Sequence, residues 1–245
     1  MTSEADKFKQ ERQEGIRAMA EDESFKAAGR QWFERSIAHK YSYNFTWMGR
    51  PVIQYPQDIV AMQEVIWKVQ PDLIIETGIA HGGSLILYAS LLELVGGNGR
   101  VVGIDIDIRP HNREAIETHP MFRRITLIQG SSIAEDVVEN VRSLAAGARR
   151  IMVVLDSNHT HDHVLAELHS YADLVSVGSY LVVFDTVVED LPAALSGDRP
   201  WSPGNNPKTA VHRFLAEDDR FVIDTEIQDK LQLTVAPDGF LQRRR

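Results

Sequence analysis

Hydrophobic positions are sparse and scattered over residues 1 to about 40, a polar stretch that reads as helix. The segment Tyr41–Tyr55, YSYNFTWMGRPVIQY, is dense in aromatics and reads as a strip packed on the domain or a cap over a pocket. From Asp58 the pattern becomes regular. Asp58–Val69 has the spacing of an amphipathic helix, stopped by Pro71. Short apolar, β-branched runs then follow at 73–75, 101–104, 125–128, 151–155 and 180–184. Helical stretches separate them near 84–95, 111–118, 133–144 and 161–174. Five near-continuous apolar strands, four of them followed by such a helix, predict a mostly parallel sheet covered on both faces. The rhythm then breaks. Residues 189–209 are rich in Pro, Gly and Asn and predict a long loop; a helix at about 207–217 follows. Strands near 220–225 and 230–236 lie close enough for an antiparallel hairpin and too close for a helical crossover. The expected organisation is a helical and aromatic cap over residues 1–57 and one α/β domain over 58–245.

Composition narrows the function classes. The 245 residues are 43% hydrophobic, enough for a sizeable core, and carry a formal net charge of -9. That sign argues against nucleic acid as partner. With no cysteine, disulfides, iron–sulfur clusters and thiolate zinc sites are excluded. The start, MTSEADKFKQERQ, is charged without an apolar signal core, and no run approaches the roughly 20 apolar residues of a membrane span. The expected location is cytoplasmic. The aromatic N-terminal segment is a possible homo-oligomer contact.

Open α/β sheets bind ligands outside the carboxyl ends of their strands. Those ends read Glu76, Asp105, Ser131-Ser132, Asp156 and Asp185. Carboxylates crowded along one edge repel one another unless a cation or a hydroxyl-rich ligand sits among them.

Four motifs refine this. In ETGIAHGGS, Gly78, Gly82 and Gly83 let the chain turn tightly between strand and helix, where a helix N-terminus receives an anionic group. The spacing does not fit the GxGxxG nicotinamide fingerprint. In GIDID, Asp105 closes the second strand, where a carboxylate accepts ribose hydroxyls. QGSS places Ser131 and Ser132 at an adenine edge or an ordinary turn. LDSNHTHDH brings His159, His161 and His163 next to Asp156. His159, three residues after Asp156, is the strongest base candidate; His161 and His163 read first as helix-packing residues. An aspartate ending an apolar strand is costly unless paired or metal-bound. Asp156 and Asp185 end consecutive strands, so their oxygens can share a hard cation such as Mg²⁺.

Together ETGIAHGGS, GIDIDIRP, LDSNHTHDHV, GSYLVVFDT and NNPKTAVHRFL resemble the cephalosporin hydroxylase family, which includes rhamnosyl O-methyltransferases and antibiotic-tailoring enzymes. The resemblance runs from about Tyr43 to Arg243. It implies a Rossmann-like methyltransferase fold, a mostly parallel seven-stranded sheet with a C-terminal antiparallel hairpin and an N-terminal helical cap. It also implies S-adenosylmethionine as cofactor and a small hydroxylated substrate, a sugar or a polyketide or antibiotic. A wider similarity to catechol O-methyltransferase implies Glu76, Gly78, Gly82 and Ser84 around the methionine part. Asp105 would then hold the ribose and Ser132 would lie near adenine. Asp156 would border the cofactor and, with Asp185, ligate the metal. Thr186 stands where the catechol enzyme has an asparagine ligand, Phe184 where some relatives have an acid, and His159 where the catechol enzyme has its lysine base.

The implied reaction is Mg²⁺-assisted transfer of a methyl group to a hydroxyl, with His159 as base. Loop 189–209 with Trp201 reads as a lid that excludes water or as a disordered surface loop, and Trp47, Tyr55 and Trp201 as walls of an apolar acceptor site. The alternatives are a zinc hydrolase built on His159, His161 and His163, and a hydroxylase component that needs an oxygen-activating partner.

Overall fold

A computed structural model describes residues 3–245. Helix α1 (Glu4–Glu21) starts on Ser3, whose hydroxyl accepts from the Asp6 amide while Asp6 reaches back, a reciprocal cap. Helix α2 (Glu23–Ala38) starts on Asp22, whose carboxylate accepts from the Ser24 and Phe25 amides. Both helices are mostly exposed; α2 buries Phe33 and Ser36. A 3-10 turn at Tyr41–Asn44 leads into a small hairpin, β1 (Thr46–Trp47) and β2 (Arg50–Pro51). Helix α3 (Pro56–Val69) begins on a proline and is capped by Gln70, one residue before Pro71.

Strands and helices then alternate as the apolar runs predict. They are β3 (Leu73–Thr77), α4 (Gly83–Val95), β4 (Arg100–Asp105), α5 (Pro110–Glu117), β5 (Ile125–Gln129), α6 (Glu135–Ala145), β6 (Ile151–Leu155), α7 (His161–Tyr171) and β7 (Tyr180–Val183). The chain closes with α8 (Pro207–Glu217), β8 (Phe221–Ile223), α9 (Thr225–Leu231) and β9 (Phe240–Arg243). The large sheet runs β5-β4-β3-β6-β7-β9-β8. Pairs among β3 to β7 are parallel; β9 runs antiparallel to both β7 and β8. The fold is the expected seven-stranded, mostly parallel Rossmann-like methyltransferase sheet with an antiparallel C-terminal pair.

Alternation along the strands sends side chains into two cores. Ile74, Val101, Met152 and Val182 pack with Met62, Ile66 and Leu85 of α3 and α4. Leu73, Ile75, Val102 and Val153 pack with Val141, Leu168 and Phe214 of α6, α7 and α8. Helix α4 is buried almost all round, because the β1–β2 hairpin covers its outer side.

The last strand departs from expectation. Residues 225–231 form α9, and the second strand of the antiparallel pair lies at 240–243 instead of 230–236. Glu226, Gln228, Lys230 and Leu231 are good helix formers. The alternating run Leu231–Val235 leaves α9 through a bend at Gln232 (φ +59°) and joins no ladder; it runs under the site, where Val235 bonds to Asp58 and Val187. Among the described residues, no helix is long and apolar enough to cross a membrane.

Candidate active site

Outward from β3 the chain adds β4 and then β5; it returns to lay β6 on the other side. The crevice at this reversal holds the residues of interest, as in other doubly wound sheets. Its first wall is the turn from β3 to α4. Gly78 has φ +88°, and a Cβ there would stand 2.1 Å from the Asp156 carbonyl oxygen. A Cβ on Gly83 would stand equally close, 2.1 Å, to the Pro51 carbonyl. The turn is therefore pressed between β6 and the N-terminal hairpin, and only glycine fits. Asp105 holds it from below: its Oδ2 accepts from the amides of Ile79 (2.8 Å) and Ala80 (3.3 Å), and its Oδ1 from Asp107 (3.0 Å). A carboxylate offers about four acceptor directions, so capacity for a ribose hydroxyl remains.

Glu76 is 1% exposed and accepts from the Ser84 hydroxyl at 2.8 Å, while its Oε1 has no partner. Burial pushes its pKa well above the usual carboxyl range. That orphaned oxygen fits a cationic ligand group such as an ammonium.

The second wall joins Asp156, His159 and Asp185. Asp185 follows β7 with φ +56°, a conformation that aspartate tolerates and that turns its side chain towards β6. His159 Nδ1 lies 3.0 Å from Asp185 Oδ2, and its Nε2 3.5 Å from Asp156 Oδ1. Neither ring nitrogen makes a well-directed hydrogen bond, so these contacts are mainly ionic. Burial pulls the His159 pKa down, but the Asp185 and Asp156 carboxylates outweigh it and push it up to about 9. Burial pushes Asp156 up to about 6, opposed by its contact with His159. One donor atom from each of the three lies within 4.8 Å of the others. Two carboxylates at the ends of neighbouring strands, with unused donors around them, fit a divalent cation.

Two adjoining cavities meet at Asp156. The smaller, about 310 Å³, is lined by Asp105, Ile106, Ser131, Ser132 and His163 and suits a nucleoside. The larger, about 410 Å³, is walled by Phe33, Tyr41, Tyr55, Val187, Leu191 and Trp201 and suits an apolar or hydroxylated acceptor. Ser84 and His159 also face the larger one. Trp201 packs edge-on against His159, ring centroids 4.8 Å apart, so loop 189–209 covers the site.

Gly82 caps α4, with φ +79°. The sequence-derived residues thus gather at one rim, with two corrections. Trp47 does not line the acceptor cavity; its Nε1 donates to Ser90 Oγ on α4 at 2.8 Å. The three histidines do not converge. The amide of His161 donates to Asn205 and its Nδ1 contacts Thr209 (2.8 Å), while His163 faces Ser132 (3.1 Å). Helical spacing sends them to different neighbours, and the zinc-hydrolase constellation is not formed. Thr186 Oγ1 donates to the Pro237 carbonyl and is fully buried, so it does not replace the missing asparagine ligand.

Arg50, Asn112, Glu167 and Tyr171 escaped the sequence reading. Arg50 donates to the His81 carbonyl and to Asn112, which in turn donates to the Ala80 carbonyl, fixing the glycine turn from outside. Glu167 is fully buried, accepts from Ser157 Oγ at 2.6 Å and lies 3.5 Å from His163. The i, i+4, i+8 row His163, Glu167, Tyr171 clamps both cavity loops, because Tyr171 donates to the Ser132 carbonyl at 2.5 Å. That row was legible as a helical stripe. The pairing of Arg50 with Asn112 spans too much sequence to be seen.

A sequence model described as rhamnosyl O-methyltransferase/CmcI matches residues 39–244. The rhamnosyl O-methyltransferase of Mycobacterium tuberculosis is 31% identical over 216 residues, 84% of this chain and 83% of that protein. That of Mycobacterium leprae is 29% identical over 214 residues, 84% of this chain and 89% of that protein. A CmcI structure described as carrying Mg and SAM superposes with a TM-score of 0.58 at 21% identity, over 83% of this chain and 78% of that one. MycE from the mycinamycin pathway, in complex with Mg, SAH and mycinamycin VI, gives a TM-score of 0.50 at 19% identity, over 87% and 54%. With the family match covering most of its length, this chain belongs to the rhamnosyl O-methyltransferase/CmcI family.

Proposed function

We propose that this chain is an S-adenosylmethionine-dependent O-methyltransferase that methylates a hydroxyl of a sugar or natural product with the help of Mg²⁺. The observation that carries the reading is the meeting of Asp156, His159 and Asp185 where a nucleoside-sized cavity opens into an aromatic one. Residues 1–57 act as a cap that closes the acceptor side of the domain 58–245. When bound, the sulfonium cofactor supplies the methyl group, and a divalent cation on two carboxylates lowers the pKa of a hydroxyl near it.

Glu76 takes the cofactor's ammonium end, using the Oε1 left unpaired in its pocket. Gly78, Gly82 and Ser84 bring backbone and hydroxyl groups against the methionine part. Asp105 accepts from the ribose and Ser132 borders the adenine. Asp156 and Asp185 would hold the cation beside His159. His159 would take the proton of the acceptor hydroxyl, freeing its oxygen to receive the methyl group as the bond to the sulfonium sulfur breaks and the thioether leaves. Positioning supplies much of the rate: the cap and the loop carrying Trp201 hold the acceptor and exclude water. The names of the relatives favour a rhamnosyl acceptor or a natural product such as mycinamycin VI, and the aromatic wall offers stacking for an apolar aglycone.

Calorimetric titration with S-adenosylhomocysteine, with and without Mg²⁺, tests the reading. One site per chain is expected. Absence of binding in both conditions overturns it.

A further inference from the structure

Gln54 enters the site from the N-terminal side, just ahead of α3. It is 5% exposed and lines the larger cavity beside Asp156, His159 and Asp185. Its Nε2 donates to Asp156 Oδ2 across 3.4 Å, a long contact. Its Oε1 is buried and accepts from nothing. Buried carbonyl oxygens almost always have a donor or a cation, so an unused one beside two carboxylates needs a reason. The backbone is also constrained here. Ile53 has φ +45°, a conformation that β-branched residues rarely adopt, and Pro51 is wedged against Gly83. The amide is thus held in place by strain on one side and close packing on the other.

We propose that Gln54 is the third protein ligand of the cation, through its amide oxygen, beside Asp156 and Asp185. The proposal rests on the divalent-metal reading above. Amide oxygens are regular ligands of hard cations. The two ends of a carboxamide have nearly the same shape, so a half-turn of the group exchanges them in the same space. Without a cation, the N–H end faces Asp156 and softens its charge. With one, the oxygen turns inward and gains the partner it lacks. His159 then stays outside the ligand set and remains available as base. Thr186 cannot take the place, because its hydroxyl is committed to Pro237.

Mn²⁺ is the probe, added to the full chain without cofactor or acceptor. Free Mn²⁺ is counted by electron paramagnetic resonance, and bound water by proton relaxation. Gln54→Leu should weaken Mn²⁺ binding by about tenfold or more and add one water to the bound ion. His159→Gln should not weaken Mn²⁺ binding: it removes no ligand, and it takes away the imidazolium that competes with the ion between Asp156 and Asp185, so affinity at neutral pH should rise. Thermal midpoint and metal-free S-adenosylhomocysteine affinity report whether each variant folds; if the leucine variant does not, Gln54→Met takes its place. Unchanged affinity and hydration in a folded Gln54 variant overturn the proposal, as does a loss that appears only in His159→Gln. Failure of the wild type to bind Mn²⁺ overturns the metal reading itself and this inference with it.

Discussion

The imidazole Nδ1 of His159 stands 3.0 Å from the Asp185 carboxylate, and Nε2 of the same ring stands 3.5 Å from Asp156. Between two anions the ring holds its proton up to about pH 9. A base must first be unprotonated. A cation shared by Asp156 and Asp185 removes the attraction that holds the proton, so the pKa falls towards the ordinary value of about 6.5. The acidic limb of the pH–rate profile should therefore move to lower pH as Mg²⁺ is raised. His159→Gln should lose about a hundredfold or more in kcat, together with that limb. A variant that keeps both rate and profile contradicts the assignment.

Gly78→Ala places a methyl where the Asp156 carbonyl already is, on a backbone with φ +88°. Left-handed strain alone costs roughly 1–2 kcal/mol, and the clash adds to it. Chemical denaturation should show a loss of at least that size. Cofactor affinity should fall with it, because relief of the clash must push the turn or β6 out of place. Unaltered stability and affinity would mean the turn is not as tightly held as the distances imply.

Legibility of the chain followed the range of its interactions. The apolar runs gave all five parallel strands, because a strand buried on both faces must be apolar along its length. The acids at the strand ends stood out for the same reason: Asp156 and Asp185 each interrupt a run that has no other use for charge. What sequence missed was set by tertiary packing. Leu231–Val235 alternates like a strand, yet its partner is the buried Asp58 carboxylate and not a ladder. Trp47 looked like a pocket wall but is pinned to Ser90, forty-three residues away in sequence. Gln54 and Arg50 carry no motif at all; their roles depend on where the hairpin lands.

Glu167 tests the clamp beneath the cofactor cavity. Glu167→Ala removes the acceptor of the Ser157 hydroxyl and the carboxyl group 3.5 Å from His163. Leaving a part-buried hydroxyl without its acceptor costs about 1–3 kcal/mol. Because Ser132 and Ser157 border the nucleoside cavity, KM for S-adenosylmethionine should rise more than KM for the acceptor. Equal rises would mark the residue as a general stabiliser only.

Asp58 links stability to pH. It is fully buried, bonded to Thr234 and to the Val235 amide, and burial raises its pKa to about 7. The folded chain therefore holds this proton more tightly than the unfolded chain, where the value is about 3.9. The stabilisation is complete below about pH 4 and is lost as pH rises through about 7. Asp58→Asn, which cannot ionise, should gain on the wild type between pH 5 and pH 8, by at most on the order of 4 kcal/mol. Urea midpoints in EDTA across that range measure it; a difference independent of pH contradicts the assignment.

The most direct test of the account follows labelled methyl from S-adenosylmethionine into rhamnosyl acceptors and mycinamycin VI, for the wild type and for Asp185→Ala. Transfer is expected in Mg²⁺ and should fall by about a hundredfold or more in EDTA or in the variant. Transfer at the full rate in EDTA, or in Asp185→Ala, would contradict it.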